Sequence, residues 1–215
     1  MGFLQRLQHK FGRYAIRNLM TYIVGAMAAV FVVDFMMPAG MMPMSLVRLL
    51  IFDAAAIMQG EVWRVVTFIV IPPGASMIFI VFALYLYWLI GSSLENQWGA
   101  FKFNIFYLCG MTGTIIAGMI MGFATNFYLN LSLFLAFAIL YPNFEIRLFF
   151  LIPVKMKWLA YLNTAFLVYS FVLSSWEGRV VLLVSVLNVI LFFGKDFINA
   201  IKQKFRKAQW KRSVR

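Results

Sequence analysis

The sequence predicts an all-α polytopic membrane protein, with six transmembrane helices and interfacial helices in the first external loop. Three observations predict it. Of the 215 residues, 64% are hydrophobic and only 12% are charged, more apolar surface than a soluble domain of this length can hide. Six apolar segments follow one another at residues 19–37, 76–94, 102–123, 126–141, 156–174 and 179–194, several of them near the ~20 residues that a helix needs to cross a ~30 Å hydrocarbon core. With the N-terminus placed in the cytoplasm, only Arg48, Arg64 and Arg179 of the nineteen Lys and Arg residues fall outside. That bias favours both termini inside.

The chain divides into an amphipathic cytoplasmic segment (1–18), a six-span membrane domain (19–194) and a basic amphipathic tail (195–215). In the first, Phe3, Leu4, Leu7, Phe11, Tyr14 and Ala15 recur near helical spacing, with Arg6, Lys10, Arg13 and Arg17 between them. This is the pattern of a helix lying on the inner membrane surface. A cleaved signal peptide is the alternative, but the apolar run that follows is longer than a signal core and lacks a small-residue exit. Arg6 stands where a myristoylation motif requires Ser or Thr.

The connection at 38–75 is too long and too apolar for a structureless loop. It predicts short helices in the outer leaflet, ended by Pro72, Pro73 and Gly74. The fourth segment is short, which predicts that it tilts or sits recessed behind its neighbours. It also carries Asn126, Asn130 and Ser132, each costly in a bilayer unless partnered. The tail mixes basic residues with Phe197, Phe205 and Trp210; it suits an anionic leaflet, or serves only as a topological anchor.

Several function classes are excluded. The net charge of +12 lies at the chain ends and in short loops, not on a folded basic surface, so nucleic acid is not a predicted partner. The lone Cys109 forms no internal disulfide and reads as a packing residue. No Gly-rich phosphate loop and no cluster of metal ligands appears, so neither metal nor cofactor is predicted.

Three local patterns then meet: "GEVWRVVTF" from Gly60, "YWLIGSSLENQWGAFKFNIFYLCG" with Gly91, Glu95 and Gly99 four residues apart, and "AFAILYPNFEIRLFFLIPVKMKWLAYL" from Ala136 to Leu162. Together they resemble the rhomboid family of intramembrane serine proteases and their inactive relatives, over about residues 15–194. The resemblance implies a six-span rhomboid-like bundle in which Trp63, Arg64, Gly91, Glu95, Gly99, Pro142 and Pro153 are chiefly architectural. Physical reasoning gives each a task. Arg64 in an outer-leaflet helix needs carbonyl or carboxylate partners, and Trp63 suits the interface. Glu95 accepts hydrogen bonds from a neighbouring loop or from Lys102. Gly91 and Gly99 let backbones approach, and Gly113, Ala117, Gly118 and Gly122 put small residues on one face of the third span. Ile152 to Lys155 reads as a turn.

Active rhomboids use a Ser–His dyad, with the serine in a Gly-x-Ser-Gly stretch opening the fourth span and the histidine on the sixth. Counting back from Pro142, the serine position falls near Phe127, where the sequence is "TNFYL". The sixth span holds Ser185 and Asn188 but no histidine, and the only histidine of the chain is His9, predicted on the opposite side of the membrane. A serine hydroxyl without a base is a weak nucleophile, and an asparagine does not act as a base near neutral pH. Ser132 lies deeper, where its hydroxyl can bond back to a carbonyl of its own helix. Asn130, Ser132, Asn163, Thr164, Ser185 and Asn188 remain as neutral polar residues on the later spans. They either bond one another inside the bundle or line a groove that receives a guest helix.

The expectation is therefore an inactive, rhomboid-like pseudoprotease, embedded in a bacterial plasma membrane and binding transmembrane segments of client membrane proteins. By likeness to inactive rhomboids and derlins, it would hold, sort or present them, with access beside the second and fifth spans. Three alternatives stand beside it: a protease with an atypical nucleophile, a small transporter, and a structural subunit of a membrane complex.

Overall fold

The computed structural model describes residues 8–36, 45–74, 76–148 and 152–174, together with residues 176, 179, 182, 183, 187, 189 and 190. Residues 1–7, the tail and most of the sixth apolar segment, Ser185 and Asn188 among them, lie outside the described residues.

Helix dominates. Among the described residues four helices are long and apolar enough to cross a membrane, so the chain is an integral membrane protein of all-α character. The first is α1 (Leu19–Met36). Three short helices follow in the first loop: α2 (Leu46–Leu50), α3 (Ala54–Met58) and α4 (Arg64–Thr67), continued by a 3-10 turn at Phe68–Val70. Then come α5 (Met77–Trp98), α6 (Ala100–Met121), the shorter α7 (Phe127–Leu140) and α8 (Met156–Leu173). Helical ends fall within a few residues of the apolar runs. The largest difference is at α5, which continues through the polar Glu95 and Gln97 because its last turn packs against the start of α1.

Two small ribbons depart from the helical reading. Phe52–Asp53 (β1) pairs antiparallel with Phe123–Ala124 (β2), tying the first loop to the α6–α7 connection. Glu145–Leu148 (β3) pairs with Ile152–Lys155 (β4), so Pro153 stands opposite Arg147 within a strand and not in a turn. A proline is tolerated there because a two-stranded ribbon is all edge. Ile146, buried, fastens this ribbon to the core.

The bundle has two distinct ends. At one, the Asn18 amide donates to Glu95 Oε1 at 2.6 Å and the Tyr141 hydroxyl reaches Gln97 at 3.4 Å. At the other, Asp34 Oδ1 accepts from the Leu46 amide at 2.8 Å, capping α2 from a distance, and the β1–β2 ribbon closes. Between them lies a core of Met20, Met27, Leu94, Phe103, Phe106, Leu129, Leu133 and Phe137.

Small residues set the spacing. A Cβ on Gly91 would lie 2.2 Å from Met20 Cγ and 2.6 Å from its Cβ, so α1 and α5 meet through this glycine. Gly118 does a different task from the helix–helix role expected of it. Its missing side chain makes room for the Phe52 ring of the first loop, 2.7 Å from where a Cβ would stand. Gly99 does not mediate close approach either. Nothing lies within 4 Å of its Cβ position, and its φ of +82° makes the sharp junction between α5 and α6. Gly122, with φ +87°, ends α6 in the left-handed conformation.

Candidate functional site

The region where the family's serine would stand is built from the start of α7 and the loop that covers it. Phe127, the first residue of α7, is 54% exposed and packs edge-on against Tyr128. Neither is the serine that the family's dyad requires. One residue earlier, Asn126 is buried and its amide nitrogen donates to the carbonyls of Ile69 at 3.0 Å and Ile71 at 2.8 Å. A short polar side chain at the edge of a span therefore holds the end of the first loop in place. The signal is visible as an asparagine opening an apolar run, but its partners lie 55 and 57 residues away.

Arg64 anchors the same loop. It is 6% exposed. Its Nε pairs with Glu61, and its Nη1 donates to the carbonyls of Arg48 at 2.8 Å and Ile51 at 3.0 Å. A guanidinium in apolar surroundings is tolerable only with such partners. The Thr67 hydroxyl adds a bond to the Leu50 carbonyl at 3.2 Å. Trp63, which precedes Arg64, is half exposed. Glu95 takes the Asn18 amide, the start of α1, and not Lys102 as one of its expected donors. Lys102 is one turn into α6, on the far side of the Gly99 junction.

At the opposite end of α7, Pro142 stops the helix. Its carbonyl accepts from the Lys157 amide at 3.1 Å, and the Phe144 carbonyl accepts from the Met156 amide at 2.8 Å. Two of the orphan N–H groups that open α8 are thereby satisfied.

The polar residues of the later spans divide. Ser132, 1% exposed, donates from its hydroxyl to the Leu129 carbonyl at 2.7 Å, a bond within its own helix. Thr164 does the same on α8, to Ala160 at 2.8 Å. Asn130 is buried with neither side-chain atom hydrogen-bonded; the Tyr87 hydroxyl stands beside it out of bonding geometry. Asn163 Oδ1 is likewise buried and unpaired. A network joining Asn130, Asn163 and Thr164 therefore does not form. The Ser132 and Thr164 hydroxyls instead donate to carbonyls of their own helices.

A groove runs beside these residues. It has a volume of about 890 Å³ and lies between α7, α8 and Leu182, Leu183, Val189 and Ile190. Leu135, Ala138 and Ile139 form one wall, Leu167 and Phe171 another, and Tyr161 and Thr164 bring hydroxyls to it. From Lys157 to Phe171 it follows α8 for fifteen residues, about 21 Å from first to last at helical rise. Of the polar candidates, Thr164 reaches it, while Asn130 and Ser132 lie in the packed interior. Among the described residues no three His, Cys, Asp or Glu side chains converge.

No protein-family profile and no curated protein matches the chain.

Proposed function

We propose that this chain is a non-catalytic, rhomboid-like membrane protein that binds transmembrane segments of other membrane proteins without cleaving them. The observation that carries the reading is the long apolar groove beside α8. Its length of about 21 Å is roughly two thirds of the ~30 Å hydrocarbon core, its walls are side chains that a helix packs against, and the Tyr161 and Thr164 hydroxyls give a guest's polar groups partners. Two features of the sequence support the non-catalytic part. The serine position is an exposed phenylalanine, and the chain's only histidine belongs to the segment before α1.

The rhomboid-like part rests on the quoted motifs. It is supported by the bonding of Arg64, the close approach at Gly91 and the Glu95 tie, all fold-holding. Lys10, Arg13, Arg17 and Lys157 belong to segments at the end that carries Asn18 and Tyr141, which favours that end, and both termini, as cytoplasmic in a bacterial plasma membrane.

The test is site-specific photocrosslinking in native membranes. A photoreactive residue at Ile139 or Leu183, in the groove, is expected to capture transmembrane segments of integral membrane proteins. The same residue at Tyr22, exposed on α1, is not. Equal capture from both positions, or adducts with lipid alone, would sink the reading. A fixed stoichiometry with one partner would instead identify a structural subunit.

A further inference from the structure

A cavity of about 520 Å³ lies where the segment before α1 crosses the α5–α6 junction. Gln8, His9, Arg13 and Arg17 line one side, and Ala100 and Phe101 the other. We propose that this cavity binds an anionic phosphate group, such as that of an acidic phospholipid headgroup.

Four independent features converge. First, the lining is cationic, and among the described residues neither Arg13 nor Arg17 has a carboxylate partner: the ion pairs are Arg64–Glu61 and Lys155–Glu145. Arg13 spends one donor on the Tyr14 hydroxyl at 2.8 Å, which leaves most of its guanidinium fork open. Arginine forks match phosphate oxygens in charge and geometry. Second, the opposite wall is the first turn of α6, a helix of 22 residues. Its first backbone bond runs from Phe103 to Gly99, and no side chain caps it. The N–H groups of Ala100, Phe101 and Lys102 thus precede the ladder, at the positive end of the helix dipole. Third, the recess has the volume for a headgroup, unlike a flat basic surface. Fourth, the rim is apolar: Phe11, Tyr14 and Ile16 are exposed beside it. Exposed aromatic and aliphatic side chains alternating with arginines fit the headgroup level of a bilayer. The inference is independent of the groove and of the rhomboid reading.

The experiment uses the full chain purified in detergent, with equimolar short-chain phosphatidylglycerol and phosphatidylcholine, read by native mass spectrometry. Wild type is expected to retain the anionic lipid in preference by about tenfold, the scale of one or two charge-assisted hydrogen bonds. Arg13→Gln/Arg17→Gln is expected to remove the preference. Ala100→Asp should remove it too. Its carboxylate favours the helix N-terminus while repelling phosphate, and an unchanged thermal unfolding midpoint of this variant separates loss of binding from loss of fold. Lys202→Gln/Lys204→Gln, in the tail, should leave the preference intact. Inorganic phosphate distinguishes the source. Displacement of the lipid by it, in wild type only, supports a site that also takes free phosphate; no displacement supports a lipid-presented group. A preference that survives both cavity variants, or wild type that discriminates neither lipid nor phosphate, overturns the proposal.

Discussion

Arg64 and Asn126 bear on the first loop from opposite sides, and each satisfies groups that would otherwise be costly. The Arg64 guanidinium serves one carboxylate and two carbonyls. Arg64→Ala strands all three and should destabilise the protein by about 2–4 kcal/mol, measured by reversible unfolding in mixed detergent–SDS micelles. Asn126 presents a sharper case. Asn126→Asp is nearly isosteric but turns a donor into an acceptor facing the carbonyls of Ile69 and Ile71. It should cost more than Asn126→Ala, itself worth about 1–3 kcal/mol. Unfolding of the two variants at the same point would mean that the Asn126 amide does not donate to these carbonyls. Arg64 is legible in the sequence, because a lone arginine in an apolar stretch demands partners. The identity of those partners is not, because backbone carbonyls carry no sequence signature.

Among the helices, the contact of α1 with α5 is the most exacting. The conflict at Gly91 involves Met20 Cβ as well as its flexible end. Gly91→Ala should therefore cost about 1–3 kcal/mol, and adding Met20→Ala should not restore the loss, since the Cβ remains. Thermal unfolding of the single and double variants checks this; full rescue would mean that only the end of the methionine is in the way. The apolar runs announce the long helices to within a few residues, because crossing a bilayer requires length and hydrophobicity that composition records directly. The ribbons are hidden. Strands of two residues are too short to show alternation, and β1 meets β2 across about 70 residues of chain. The small-residue stripe on α6 is visible, but its occupant, the Phe52 ring, comes from a loop and not from a helix. Of the polar candidates, type and position are readable, yet which of them reaches the groove depends on rotation about the helix axis, and of Asn130, Ser132, Asn163 and Thr164 only Thr164 does.

For the molecule as a whole, the chemistry expected of it can be tested directly. A fluorophosphonate probe should label the purified chain no more than a heat-denatured sample, with an active serine hydrolase as positive control. Labelling that vanishes in Ser132→Ala would mean that a base reaches this hydroxyl, and would return the protein to the proteases. The groove adds an expectation about its environment. At 14 residues, α7 spans about 21 Å, less than the ~30 Å core around it. Lipid beside it must thin, or neighbouring helices must shield its ends.

The β1–β2 ribbon also sets an order of events during synthesis. Phe52 and Asp53 leave the ribosome long before Phe123 and Ala124 do, and the Gly118 notch that receives the Phe52 ring is made later still than α5. The first loop must therefore wait, unlatched, until α6 has been made. Only then can its apolar side chains be sheltered by the protein. Truncations that stop before residue 118 would leave that loop open to proteases on its side of the membrane, whereas chains extended past Asn126 would close it.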